Sequence, residues 1–441
     1  MKKLIAVFLA SLQIFSATVL FSGCSTTKGS TDLMNGIKPD MPKDDKENPL
    51  PVRQLSEEEK EQYTRAWTAQ SEFSLKLLQG CIRTENRNVT VSPLSVYLAL
   101  AMTANGAKGQ TLTEMLSALG YEIPEQEAEK VLEEMNDSLG VLIAGLPKDK
   151  ECSVRVADSI WFKDNEGLHI NDEFLKTNAQ YYDAGVFKSA FDDKTLRDIN
   201  NWVKKNTDGM IDRILDRLDP QTVMCLINAL TFEALWSTPY EKYSVADADF
   251  TTGNGEKRTV EMMYGTEYRY IGNDKAAGFI KDYKGGKYAF AALLPEDGIT
   301  LDEFVNSLTA EELRGMLSEP SREKVETGLP KFTCDYSITL NRLLQDMGMT
   351  LAFGGDADLS GIGISDAGPL AISEVLHKAH IELSESGTKA AAVTAVIVNP
   401  TSAFDPEPPK RVILDRPFMY MIYDTETLLP VFTGTVTDIG K

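Results

Sequence analysis

Apolar residues recur at intervals of three and four positions in the first third of the chain, which is the spacing of amphipathic helices. A helix is predicted from Ser56, because the glutamates at 57–59 suit the positive end of a helix. A second helix is predicted to begin at Ser92 and Pro93 and to end at Gly106. The apolar positions of the two helices are Tyr63, Trp67, Phe73, Leu77 and Leu78, and Val96, Leu98, Ala99, Leu100 and Met102.

Strand-like apolar runs dominate the last half of the chain. They do not alternate strictly with helices, so a doubly wound parallel sheet is not expected and the predicted fold class is α+β. We find no internal repeat in the sequence. The predicted strands are Val154–Phe162, Met224–Phe232, Lys287–Leu294, Ala371–Leu383, Phe418–Tyr423 and Val431–Val436.

The N-terminus has the pattern of a secretory signal peptide. Two lysines are followed by an apolar stretch over residues 4–21, and the small residues Ser22 and Gly23 then precede Cys24. This arrangement resembles the lipobox of bacterial lipoproteins, in which the cysteine is acylated and becomes the mature N-terminus. We therefore predict a signal peptide over 1–23 and a lipid anchor on Cys24, with an uncleaved anchor or a plain secretory signal as alternatives.

The segment that follows Cys24 is polar and rich in glycine, proline and hydroxyl residues. It lacks apolar periodicity, so a flexible tether is predicted over 24–55. The expected location is across the cytoplasmic membrane, with the protein lipid-anchored at the cell surface or released. The anchor is the only contact with a membrane that we expect.

The composition is that of a globular protein with a large core, with 42% hydrophobic and 25% charged residues among 441. Acidic residues outnumber basic ones by 66 to 45, so nucleic acid is disfavoured as a partner and no polyanion activator is expected. Three histidines and five cysteines are too few for a zinc ribbon or a dense disulfide framework, and no cofactor or metal is expected. Besides Cys24, the cysteines are Cys81 and Cys152, and Cys225 and Cys334, which lie in apolar stretches where a buried thiol is expected.

Short motifs follow one another from Trp67 to the C-terminus. They are Asn88–Ser95, Ala101–Thr111, Ala157–Phe162, Asn200–Val203, Thr207–Gly209, Leu226–Phe232, Trp236, Pro239–Tyr240, Leu329–Phe332, Ala357–Ile362, His377–Ala379 and Arg416–Phe418. Together and in this order, they resemble the signature of the serpin family. The resemblance implies a single serpin domain over 56–441 with three β-sheets, about eight to nine helices and an exposed reactive-centre loop at about 385–411. It also implies a monomer.

The implied loop has an unusual composition. From Thr388 to Val398 it is small, β-compatible and nearly uncharged, like a strand that lacks a sheet. Side chains alternate in a strand, so the even-numbered residues would share one face that can pack onto a core. An ordinary core strand, or a helix over 389–395, is the alternative. The resemblance assigns the hinge of the loop to Glu385, Gly387, Thr388, Ala390, Ala391 and Ala392.

The resemblance further implies a suicide-substrate inhibitor of serine proteases. The protease forms an acyl-enzyme with the loop, which then inserts into a sheet and carries the protease with it. Family spacing beyond Gly387 places the scissile bond at Thr401–Ser402, and the small Thr401 favours elastase-like or subtilisin-like proteases. Phe404 is the rival position and would favour a chymotrypsin-like protease. A non-inhibitory serpin-fold lipoprotein that binds or carries a ligand is the alternative function.

Polar residues of the motifs match two serpin regions. Trp236, like Glu385, matches the upper opening of the main sheet, called the breach, where the loop enters. A buried hydrogen-bond cluster below it, called the shutter, is matched by Ser92, Ser95, Asn228 and His377, although Ser92 alone would read as a helix cap. His377 and His380 would face opposite sides of a strand, and no Gly-x-Ser-x-Gly elbow occurs, so we do not expect an enzyme.

Overall fold

The computed structural model describes residues 29–37, 56–84, 87–164, 167–182, 184–219, 221–366, 368–388 and 408–439. These residues form an α+β fold, as predicted. Nine α-helices occur in the described ranges: α1 (Glu57–Thr84), α2 (Pro93–Ala104), α3 (Gly109–Ala118), α4 (Ala128–Ala144), α5 (Asp172–Tyr181), α6 (Asp193–Asn206), α7 (Leu301–Ser307), α8 (Ala310–Ser318) and α9 (Asn341–Asp346).

The helices begin where the sequence supplies caps. Ser92 precedes α2 and its hydroxyl accepts a hydrogen bond from the backbone N–H of Ser95 at 3.3 Å, while Pro93 occupies the first helical position. Capping boxes, in which two residues bond each other's backbone, begin α6, α7 and α8. No helix in the described residues is both long and apolar enough to span a bilayer.

Strands make up most of the remaining described chain. In order they are β1 (Thr31–Asp32), β2 (Val89–Val91), β3 (Cys152–Lys163), β4 (His169–Ile170), β5 (Gly185–Ser189), β6 (Met224–Leu235), β7 (Val245–Thr251), β8 (Lys257–Glu267), β9 (Tyr270–Gly272), β10 (Ala276–Asp282), β11 (Tyr288–Pro295), β12 (Val325–Pro330), β13 (Phe332–Thr339), β14 (Gly363–Ile364), β15 (Glu374–Ser384), β16 (Gly387–Thr388), β17 (Lys410–Ile413), β18 (Phe418–Asp424) and β19 (Pro430–Val436). All six predicted strands occur, with bounds shifted by up to three residues.

These strands build three large sheets. The main sheet has the order β1-β5-β3-β6-β16-β15-β13, the second sheet β2-β19-β18-β11-β10-β9 and the third sheet β17-β12-β8-β7. Because β17 begins at Lys410, the C-terminal end of the loop lies before the predicted boundary of about 411. The three sheets agree with the architecture that the resemblance implied.

Strands β3 and β6 of the main sheet are buried on both faces and carry mostly apolar residues, whereas β13 at the edge alternates buried and exposed positions. On the inner face, residues such as Ile160 and Leu226 join the large core shared with α2 and the second sheet. On the outer face, residues such as Trp161 and Ile227 form a separate cluster with Ile199 of α6. The alternation therefore fixes which residues of β3, β6 and β15 face the interior.

The predicted tether over 24–55 is wrong for residues 29–37. Thr31 and Asp32 pair with the outer edge of β5, and Leu33 donates its backbone N–H to Val186 at 2.8 Å. The hydroxyl of Ser30 donates to Asp198 of α6 at 2.7 Å. This short segment is ordered because an unpaired sheet edge supplies the backbone partners that its own sequence cannot.

Candidate functional site: an opening in the main sheet

Strands β6 and β15 are parallel neighbours that part at their upper end. In the lower half they pair directly, from Glu374 opposite Cys225 to Ala379 opposite Leu230. In the upper half β16 lies between them and runs antiparallel to both. An antiparallel strand placed between two parallel strands can form backbone hydrogen bonds with both of them. The main sheet therefore contains the first two residues of an additional strand.

Gly387 fits the place where the chain turns into this gap. Its φ is +152°, a conformation that residues with a side chain rarely adopt. A Cβ atom at this position would overlap the carbonyl oxygen of Ala234 on β6. Only glycine permits the close backbone approach that lets β16 pair with β6.

Aromatic side chains pack beneath β16. Thr388 is 1% exposed and its hydroxyl is 2.5 Å from the phenol oxygen of Tyr283. The ring of Tyr283 stacks on Trp236 with the ring centres 4.3 Å apart. Burial raises the pKa of Tyr283 well above its ordinary value, so the phenol stays neutral. The even-numbered face predicted for the loop thus points into the core at Thr388.

The hinge is held at its rim by backbone and side-chain bonds. Trp236 donates its backbone N–H to Ser386 at 3.0 Å and its indole N–H to Ser384 at 2.9 Å. The carboxylate of Glu385 lies 3.0 Å from the ammonium of Lys331, which also contacts Glu261 at 3.1 Å. Glu385 and Trp236 thus lie together at the upper opening, as the resemblance implied.

A buried polar cluster lies below β16, where β6 and β15 pair directly. His377 of β15 accepts a hydrogen bond from the backbone N–H of Ser92 at its Nε2, at 3.0 Å. Its Nδ1 must then carry the proton, which it donates to the side-chain oxygen of Asn228 of β6 at 2.5 Å. Asn228 donates in turn to the carbonyl of Leu376 at 2.9 Å. The side chains of His377 and Asn228 thus join the two strands that would have to separate.

A carboxylate completes this cluster. Asp158 of β3 pairs in register with Asn228 and accepts a hydrogen bond at its Oδ1 from the hydroxyl of Ser95, at 3.0 Å. Ser92, Ser95, Asn228 and His377, the residues that match the shutter, therefore lie in one network with Asp158. All five are at most 4% exposed.

Burial sets the charge of the cluster. It lowers the pKa of His377 to about 3, so the imidazole is neutral near pH 7. It raises the pKa of Asp158 well above the ordinary value, and the bond from Ser95 opposes this rise only in part. A neutral imidazole bonded at both nitrogens has no free nitrogen with which to abstract a proton from a substrate. The cluster is suited to holding two strands together rather than to acid–base chemistry.

The position of His380 agrees with the strand assignment. His380 points to the opposite face from His377 and lies 2.8 Å from Asp335. The four cysteines that the structure describes form no disulfide with one another and are buried, and burial raises the pKa of Cys152 to about 12. They are Cys81, Cys152, Cys225 and Cys334.

Several predicted site residues lie outside the described residues. They are Cys24, Ala390, Ala391, Ala392, Thr401, Ser402 and Phe404. Sequence analysis also missed three members of the site. Lys331 and Asp158 stood within quoted motifs but were given no role, and Tyr283 follows β10, a strand that was not predicted.

Residues 68–439 match the family model described as Serpin (serine protease inhibitor). The chain is 30% identical to Iripin-5 of Ixodes ricinus over 84% of this chain and 94% of that protein. It is 30% identical to Alpha-1-antiproteinase of Rattus norvegicus over 83% of this chain and 88% of that protein. The native-state structure of tengpin, a thermophilic serpin, is similar with a TM-score of 0.82 and 42% identity, covering 93% of this chain and all of that one. The chain belongs to the serpin family, whose members are in general protease inhibitors rather than enzymes.

Proposed function

We propose that this protein is a surface-tethered suicide inhibitor of serine proteases. A protease that attacks the loop would form an acyl-enzyme, and the loop would then complete the strand that β16 begins. The observation that carries the proposal is the position of β16, antiparallel between two parallel strands that are still joined below it.

The strand register supports a continuous insertion. Thr388 lies opposite Ala234 of β6 and Leu383 of β15. If the chain continues in this register, each further residue moves one position down both strands. Six residues later, Thr394 lies opposite Asn228 and His377 at once. A single strand would therefore pair with both neighbours without a bulge. The hydroxyl of Thr394 would then lie beside Asn228 and His377, whose hydrogen bond must break before the two strands can separate.

The length of β6 supports a large displacement of the attached protease. Residues 387–398 would pair with the whole of β6, Leu235 to Met224, over about 40 Å at about 3.3 Å per residue. This distance is comparable to the diameter of a domain of this size. Even-numbered loop residues would face the core, and those from 390 to 398 are alanine, threonine and valine.

The target class follows from the loop sequence. With cleavage at Thr401–Ser402, the small Thr401 fits the shallow pockets of elastase-like or subtilisin-like proteases. Cleavage near Phe404 would instead suit a chymotrypsin-like protease. Acylation of Cys24 would keep the inhibitor at the cell surface, at the end of the segment that precedes residue 29.

A denaturing gel tests the proposal. The protein is incubated with elastase-like, subtilisin-like and chymotrypsin-like proteases, and we expect a covalent band at the summed mass with at least one of them. Mass spectrometry of the released fragment then locates the cleaved bond. Cleavage of the loop by all three, without such a band at any ratio, would contradict inhibition and support the binding or carrier alternative.

A further inference from the structure

Asp158 is the one ionisable carboxylate of the buried cluster, and its hydrogen bonding is incomplete. It is 4% exposed, and its Oδ1 accepts from Ser95 while its Oδ2 has no hydrogen-bond partner among the described residues. A buried carboxylate with a free oxygen is costly when ionised, whereas the neutral acid avoids most of that cost. The site therefore discriminates between the two protonation states of Asp158.

The bond between Asp158 and Ser95 crosses the boundary along which the sheet would open. Asp158 belongs to β3, which pairs with β6 over eleven residues and should move with it. Ser95 belongs to α2, whose first residues are tied to β15 through Ser92 and His377. If the start of α2 stays bonded to β15 through Ser92 and His377, separating β6 from β15 by the width of one strand, about 4.8 Å, would strain or break this bond.

We propose that Asp158 is a charge-sensitive latch of the main sheet, which favours the closed sheet when its carboxyl is neutral and the open sheet when it is ionised. This inference rests on the proposed insertion of the loop. It adds a control that acts before any protease is bound, because it sets how readily the sheet opens.

One other titratable group of the cluster acts in the opposite direction. In the closed sheet the pKa of His377 is about 3, against an ordinary value of 6.5 in water. Protonation of His377 therefore favours the open sheet as pH falls below 6.5. The described strands and helix packed around the cluster also bring buried phenols and a thiol to this interior, namely Tyr97 on α2, Tyr336 and Cys334 on β13, and Tyr420 on β18. Burial raises the pKa of Tyr97, Tyr420 and Cys334, and all three stay neutral near pH 7.

The two groups give opening a characteristic pH profile. The closed sheet holds the proton of Asp158 more tightly than the open sheet, so ionisation favours opening as pH rises above the ordinary value of 3.8. Between about pH 4 and 6.5 this effect opposes that of His377. Asp158 adds a rise in opening of up to about tenfold per pH unit wherever the closed sheet still holds its proton, and Asp158→Asn lacks this contribution.

The test measures how fast a synthetic peptide with the sequence of residues 388–398 enters the main sheet. Rates are compared between the full-length protein and Asp158→Asn from about pH 5 to pH 9, by a shift in native gels. We expect the ratio of wild-type to variant rate to increase with pH, because only the wild-type protein can ionise residue 158. The peptide is common to both proteins, so its own titration cancels in the ratio.

Two further variants test whether the pH dependence comes from Asp158. Ser95→Ala removes the hydroxyl that opposes the raised pKa of Asp158, so its rise should extend to higher pH, and this variant also serves if Asp158→Asn does not fold. Glu233→Gln, on β6 at a position facing away from the cluster, should keep the wild-type profile. A ratio that stays constant with pH, while both proteins accept the peptide, overturns the latch alone. Failure of every protein to accept the peptide at any pH overturns loop insertion and the latch with it.

Discussion

The upper and lower halves of the gap between β6 and β15 are built differently. In the upper half, β16 separates the two strands and rests on the aromatic rings of Trp236 and Tyr283. In the lower half, six residue pairs join the strands directly, and polar side chains lie beneath them. The upper half is already a site for a strand, whereas the lower half must first be opened.

This difference suggests how the main sheet can be stable and still accept a further strand. Apolar packing in the upper half does not require a particular partner, so an incoming strand of small residues can be accepted there. Hydrogen bonds in the lower half are directional, but each is worth only about 1 kcal/mol net and can be exchanged for another. In the proposed mechanism, the side chains of His377 and Asn228 hold the sheet closed until the hydroxyl of Thr394 arrives.

The largest expected effect is at the upper half. Thr388→Arg places a charge on the face that contacts Tyr283, and an unpaired buried charge costs about 3 kcal/mol or more. Insertion should slow by about a hundredfold, and the protein should be cleaved as a substrate instead of trapping the protease. The number of inhibitor molecules consumed per trapped protease measures the effect. Thr388→Val is the matched control, since it keeps the shape and loses one hydrogen bond.

Acidification should weaken the lower half. The pKa of His377 is lowered from 6.5 to about 3 by burial, so the folded protein binds fewer protons than the unfolded chain below pH 6.5. The contribution of His377 to stability should therefore fall as pH decreases from 6.5 towards 3, by roughly 4 kcal/mol, while Asp158 acts in the opposite direction. Thermal melting of the protein and of His377→Asn across this range isolates the contribution. Parallel pH profiles for the two proteins would contradict it.

A glycine pair separates backbone overlap from backbone strain. Gly387→Ala both disfavours the φ of +152° and drives a methyl group into Ala234, and we expect a loss of about 1 to 3 kcal/mol with slower insertion. Gly348→Ala is the control, because Gly348 has a φ of +100° with open space around its Cβ position. The melting temperature of the first variant should fall further. Equal losses would show that close packing against β6 is unimportant.

The smallest expected effect is at the rim. Lys331→Met removes the ion pairs with Glu385 and Glu261, but the ammonium side chain is 23% exposed, so we expect a change of about 1 kcal/mol or less. The effect should shrink further at high salt. Melting temperatures at two ionic strengths check this, and a larger loss that persists in salt would mean that the rim carries more of the hinge than its geometry suggests.

Local patterns predicted the elements that bury both faces or carry clear caps. The run of apolar residues in β6 and the Ser92 and Pro93 start of α2 are strong signals, and both occur as expected. Local patterns did not predict the strands of the third sheet, because strands such as β7 alternate weakly and expose charged residues such as Asp247 and Asp249. Its strands are defined by partners far away in the chain.

Long-range pairing explains the other differences. Residues 29–37 contain only three large apolar residues, too few for periodicity, yet the free edge of β5 orders them. A carboxylate within a strand-like run gives no sign of burial in the sequence, and only the packing of α2 shows that Asp158 is buried. The resemblance thus pointed to Ser92, Ser95, Asn228 and His377, which the structure brings together, but it gave no role to Asp158 and did not indicate the charge state that burial imposes.

The most direct test is to compare the melting of the intact protein with that of the protein cleaved once between residues 388 and 408. Our account predicts that the cleaved loop completes the main sheet, so the nicked molecule should melt at a clearly higher temperature. A nicked protein that melts at the same or a lower temperature than the intact protein would contradict the account.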